Sequence, residues 1–151
     1  MDVLLPCLYT FIATAGFCII FNIRGKMVFY AALGGTIGWL AFIGSSFLGT
    51  DLIQYFIATV IIALYSEIMA RIHKVPITVY LIAALIPLVP GSGIYYTMEH
   101  ALTGDIDAFL ETFIHTIAIA GSLAFGILLV SSLFRLTHHI NIDRNQKKPP
   151  V

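Results

Sequence analysis

The chain has 151 residues, of which 59% are hydrophobic and 11% charged, and its mean hydropathy is +0.95. A soluble domain of this size has no interior large enough for so much apolar side chain, so the composition excludes that class and reads as an integral membrane protein. The formal net charge of zero says little, because the placement of the charges carries the information.

The first apolar segment covers about residues 3–23. Met1-Asp2-Val3 lacks the basic start of a cleavable signal peptide, and the run is too long for its apolar core, so it is expected to stay as a transmembrane helix. Cys7 and Cys18 fall in this run, eleven residues apart. They form no CxxC pair and no zinc or haem spacing, and read as two buried free thiols.

The second segment, about 27–48, carries Gly34-Gly35-Thr36-Ile37-Gly38. Gly34 and Gly38 form a GxxxG, which lets another helix approach closely. No strand precedes these glycines, so they are not a phosphate-binding loop. The third segment, about 52–70, contains Glu67, four residues before Arg71. That spacing puts carboxylate and guanidinium on one helix face, as an ion pair. Glu67 is equally open to a proton-coupling role, since ionisable groups within a membrane are costly and mark functional positions.

The fourth segment, about 76–98, is long enough to span a bilayer but is interrupted by Pro87-Leu88-Val89-Pro90-Gly91-Ser92-Gly93. Each proline removes a backbone donor and clashes with the preceding turn. Gly91 and Gly93 let the chain leave helical geometry cheaply. Lipid cannot satisfy the peptide groups exposed by such a break, so it must be buried in protein or line a polar cavity. Broken helices of this kind form substrate sites in secondary transporters, and a kink packed against neighbouring helices is the other reading.

The fifth segment, about 108–134, is long enough to tilt or project from the bilayer. Asp107, Glu111 and His115 recur every four residues and stack along one face. An imidazole with an ordinary pKa near 6.5 exchanges protons at physiological pH, and Glu111 one turn away favours its charged form. This stripe is either an outward-facing proton path, with Glu111 and His115 its carriers, or a polar face at a wet helix end. Ser122 and Gly126 repeat the small-residue packing device more weakly. His138 and His139 are adjacent, point in different directions on a helix and do not chelate one metal. Residues 141–151 are polar and basic and read as a disordered tail near anionic headgroups. They make too weak a patch for nucleic acid.

The expected fold is therefore an all-α integral membrane protein, one bundle of five transmembrane helices over residues 1–140 with the fourth broken at Pro-x-x-Pro-Gly. An alternating five-pass path puts all eight Lys and Arg residues on one side, and Asp2, Asp51, Glu99, Asp105, Asp107 and Glu111 on the other. Basic loops stay cytoplasmic, which places the N-terminus outside and the C-terminus inside. No GxSxG elbow, HExxH or paired deep carboxylates with a nucleophile are present. The chain reads as neither an enzyme nor a cofactor or metal binder.

Ala70-Arg71, Pro76, Ile86-Pro87-Leu88-Val89-Pro90-Gly91 and Tyr95 together resemble the signature of the threonine/serine exporter family. Phe21-Asn22 and the glycine helix fit the small YjjB-like subunit, which corresponds to the C-terminal membrane half of full-length exporters. The resemblance covers about residues 10–135. It implies a two-component exporter with a YjjP-like membrane partner bearing a cytoplasmic N-terminal region. It also implies proton-motive export of threonine and serine, or of dicarboxylates such as succinate. On this reading Pro87, Pro90, Gly91, Ser92, Gly93 and Tyr95 are the candidate substrate-binding residues, near the membrane midplane. Amides at the start of the half-helix after Pro90 would hold a carboxylate. Asn22 and Arg71 are positions for partner contact or an ion pair. A non-transporting scaffold, with Gly34 and Gly38 binding a partner helix, and a homo-oligomeric channel remain as alternatives.

Overall fold

Helix ends in this chain are set by a few identifiable residues. The computed structural model describes residues 4–146. Its helices are α1 (Leu4–Ile20), α2 (Lys26–Gly44), α3 (Asp51–His73), α4 (Thr78–Leu85), α5 (Gly91–Thr103) and α6 (Ile106–Gln146), with short 3-10 turns at Ser46–Leu48 and Ile86–Leu88. Among the described residues there are no strands.

The first segment was expected to reach residue 23, but α1 stops at Ile20. Asn22 adopts a left-handed conformation at φ 58, and the Ile23 N–H turns back to the Cys18 carbonyl at 2.9 Å, a common C-terminal lock. Lys74, at φ 54, ends α3 in the same way ahead of Pro76. Gly104, at φ 78, ends α5, and Asp105 opens α6 by accepting the Ala108 N–H at 3.1 Å. The last helix, expected to end near residue 134, continues to Gln146. Residues 147–151 of the expected tail, and the side chains of His138 and His139, lie outside the described residues.

By length and apolarity three helical stretches can cross a membrane: Lys26–Leu48, Asp51–His73 and Ile106–Leu136. Thr78–Leu88 with Gly91–Thr103, bent by 52°, makes a fourth if counted as one span. A bend of that size redirects the chain without reversing it. The 17-residue α1 is a shorter apolar helix, reaching about 26 Å against the roughly 30 Å of a hydrocarbon core.

The bundle is organised on α2, which packs against α1, α3 and α4, while α6 lies along α3 and α5 packs chiefly on α6. Glycines make the α2 contacts close. A β-carbon at Gly35 would collide with Thr14 of α1, and one at Gly38 with Ile62 of α3. One at Gly34 would lie 2.8 Å from the Tyr65 ring, whose hydroxyl donates to the Tyr30 carbonyl at 2.8 Å. Tyr80, fully buried, places its hydroxyl 3.0 Å from His73 Nδ1. On the far side of α3, a β-carbon at Gly126 of α6 would lie 3.0 Å from Thr59. The buried core joins Ala58, Ile62 and Ala63 to Leu81, Leu88 and Val130. Large apolar side chains point outward along α1, α5 and α6, as lipid-facing or partner-facing surface demands.

Helices α3 and α6 run parallel, because Asp51 meets His115, Thr59 meets Gly126 and Arg71 meets Phe134 in ascending order. One end of this pair is therefore acidic, around Asp51, and the other basic, around Arg71 and Arg135.

Candidate functional site

The proline motif builds a sharp break in three steps. Pro87 lies inside the 3-10 turn, where its missing N–H is harmless. Val89 is extended at φ −64 and ψ 129, the conformation that a following proline enforces. Pro90, at φ −74 and ψ 62, is the centre of an inverse γ-turn, in which the Gly91 N–H donates to the Val89 carbonyl at 2.7 Å. Helix α5 then starts, with the Ile94 N–H donating to the Pro90 carbonyl at 3.2 Å.

Two backbone donors are left over. Among the described residues the Ser92 and Gly93 amides have no hydrogen-bond partner, and no side chain caps the helix. Pro90 is buried and Pro87 half-buried, whereas Gly91 and Ser92 are exposed. Tyr95, 64% exposed, leans edge-on against Tyr96 at 5.4 Å. The first turn of a helix carries partial positive charge, so this turn offers two donors to an anion.

The two glycines of the motif differ from expectation. Gly91 does not need a glycine's backbone freedom, since its φ is not positive and a β-carbon there would meet nothing within 4 Å. Gly93 is the constrained one, because a β-carbon would run into the Thr116 hydroxyl of α6. The packing on α6 also fixes the motif's level in the bundle. Thr116 follows His115, which reaches the first residue of α3, so the start of α5 lies near the acidic end of α3. It does not lie at the bundle's middle. The ten residues of α6 from Ile106 to His115 extend about 14 Å past that level.

A groove of about 580 Å³ runs between α5 and α6 beside the break, lined by Val89, Pro90, Ile94, Met98, Phe113 and Ile117 among others. Its two threonines are spent on their own helices: Thr97 donates to the Gly93 carbonyl at 2.7 Å and Thr116 to the Thr112 carbonyl at 2.7 Å. The groove is consequently apolar and suits a hydrocarbon surface, not a carboxylate.

His115 Nε2 lies 2.7 Å from Asp51 Oδ2, and the side chains are 52% and 42% exposed. The carboxylate facing the imidazole is thus Asp51 of α3, not Glu111 of its own helix. Glu111 is exposed and has no ion-pair partner among the described residues. Asp51 is a residue that spacing cannot nominate as a partner, being 64 positions away. Its other oxygen accepts the Leu52 N–H at 2.9 Å.

At the opposite end, Glu67 and Arg71 stand 3.5 Å apart, and the Arg71 guanidinium covers the Phe134 ring at 4.8 Å. The structure therefore brings the proline motif and His115 to one level of α6 and leaves Glu67 with Arg71 elsewhere. Gly34 and Gly38 are occupied by α3 of the same chain, which closes that face to a partner helix. Asn22 is a turn residue, its side-chain oxygen accepting from Arg24 Nε at 2.9 Å.

A family model described as "Threonine/Serine exporter, ThrE" matches residues 6–133. A curated relative from Haemophilus influenzae strain Rd, named only "Uncharacterized protein", is 26% identical over 143 residues, 89% of this chain and 48% of the relative. The chain thus spans about half the length of the curated relative it matches. No solved structure matches it.

Proposed function

The chain belongs to the threonine/serine exporter family, and on that premise we propose that it is one membrane subunit of a two-component secondary exporter driven by the proton motive force. Its cargo is a small carboxylate-bearing metabolite, threonine and serine or a dicarboxylate such as succinate. The observation that carries the reading is the pair of unpartnered amides at Ser92 and Gly93, on an exposed helix start. Free amides at an exposed helix start are open to an anion or to a covering chain. A second membrane subunit is the natural cover, and the cargo carboxylate the natural ligand of the donors.

Proton coupling is assigned to His115 with Asp51. A protonated imidazole bridges α3 and α6 through a charge-assisted bond, and a neutral one holds them less firmly. The membrane is the cytoplasmic membrane, with the N-terminus outside, following the basic loops. Cysteines placed at Asp51 and Asp105, in a background lacking Cys7 and Cys18, should label from outside with an impermeant reagent, and one at Lys74 should not. The reverse pattern overturns that orientation.

The function itself is tested in energised inside-out vesicles carrying this chain and its partner. They should accumulate labelled threonine, serine or succinate, and accumulation should collapse when the proton gradient is dissipated at constant substrate gradient. Flux that survives dissipation identifies a channel. No uptake of any of the three rejects the cargo class.

A further inference from the structure

The basic end of the α3–α6 pair holds a cavity of about 620 Å³ that the break does not explain. It is lined by the charged Glu67, Arg71 and Arg135 together with Ala70, Val75, Ile77 and Phe134. Two guanidinium groups thus face one space from two helices. Arg71 is held in place, paired with Glu67 at 3.5 Å and spread over the Phe134 ring at 4.8 Å. Arg135, exposed, has no ion-pair or hydrogen-bond partner among the described residues. One carboxylate against two permanent cations leaves the lining with a net positive charge, and the unpaired fork belongs to Arg135.

We infer that this cavity is an oxyanion site, separate from the proline break, with Arg135 as the principal ligand and Arg71 as a pre-positioned second cation. A planar guanidinium matches two oxygens of a carboxylate or phosphate at once, which a lysine ammonium does not. Apolar side chains with a few charged groups among them are also the usual lining of a small-molecule site. Two sources of such an anion reach the basic end of the bundle: a soluble carboxylate from the adjoining aqueous phase and the phosphate of a lipid headgroup. The soluble source rests on the exporter reading above, and the lipid source does not.

The test uses the whole chain, with its partner, in nanodiscs. In discs of phosphatidylcholine alone, succinate and threonine are titrated and binding is followed by calorimetry. In a second set, phosphatidylglycerol is added and thermal stability is followed. Arg135→Gln is expected to weaken the responding anion by on the order of tenfold or more, the share of one charge-assisted bond. Arg135→Lys, which keeps the charge and loses the fork, should fall between. A response to the soluble carboxylates that Arg135→Gln removes assigns the site to cargo. A response to phosphatidylglycerol alone, removed by the same substitution, assigns it to lipid. Wild type that responds to neither, or an Arg135→Gln protein that responds like wild type, overturns the site. Binding lost in Arg135→Gln while wild-type vesicles accumulate nothing would keep the site and discard the exporter reading.

Discussion

Helix α2 and the α5–α6 hairpin use the same residue for opposite ends. In α2, Gly34, Gly35 and Gly38 are each filled by a neighbour's side chain, from Tyr65, Thr14 and Ile62 respectively. Their faces are consumed within the chain. In the hairpin, Gly93 meets Thr116, but Gly91 looks into open space, the next two amides lack partners and an apolar groove runs alongside. Glycine in a membrane helix therefore has two distinguishable meanings. Where the missing β-carbon is replaced by a packed atom, the residue builds the fold. Where it is replaced by nothing, the space belongs to something outside the chain.

The strongest way to break this comparison is at Gly38. Gly38→Leu forces four carbons into space that Ile62 already fills, in the most contacted helix of the bundle. Overpacking a core costs about 1–3 kcal/mol and sometimes more, and this site is expected at the top of that range. Thermal unfolding in detergent should show a large loss of stability, and little protein should reach the membrane. Gly34→Leu should be milder, because the Tyr65 ring can swing away at the expense of its bond to Tyr30. Wild-type stability in Gly38→Leu would mean that α2 and α3 are not packed as described.

Much of this contrast was legible in the sequence, and the failures have physical reasons. The break at Pro87 and Pro90 follows from missing donors and steric clash, which are local effects. The Glu67–Arg71 pair follows from helical spacing, equally local. Asn22 as a helix stop was missed because most residues avoid φ 58, and only the chain's route shows that this one adopts it. The Asp51–His115 contact joins residues 64 apart, and only the parallel packing of α3 on α6 creates it. Likewise spacing marks a small face at Gly91 and Gly93 without telling which of them touches α6. The level of the motif against its neighbours was not legible for a related reason. A hydropathy run gives the length of a segment but not its level against its neighbours, and Thr116 fixes that level.

An intermediate effect is expected at Gly93. Gly93→Val meets Thr116, whose hydroxyl can rotate only by giving up its bond to the Thr112 carbonyl. A loss of about 1–2 kcal/mol is expected, within the usual range for a single overpacked position, and it should be confined to the hairpin. Hydrogen exchange should therefore rise in α5 and in the first turns of α6 while α2 and α3 stay protected. Uniform loss of protection across all the helices would show that the hairpin is not a separate packing unit.

The smallest effect on stability and the sharpest on function belong to Gly91. Its backbone is open to any residue, and a β-carbon there touches nothing in the chain. Gly91→Val should consequently leave insertion and thermal stability within about 0.5 kcal/mol of wild type, as for a surface substitution. Any functional defect then reports on what fills the space from outside. If a partner helix fills it, the two subunits should no longer copurify. If the cargo carboxylate fills it, the complex should persist while binding weakens roughly 10- to 150-fold, the equivalent of one charge-assisted hydrogen bond at about 1.5–3 kcal/mol. Pro87→Ala makes an independent control, because it restores a donor without adding bulk beside the Ser92 and Gly93 amides. Intact copurification together with wild-type cargo binding in Gly91→Val would reduce the motif to a kink, and with it the difference between the two kinds of glycine.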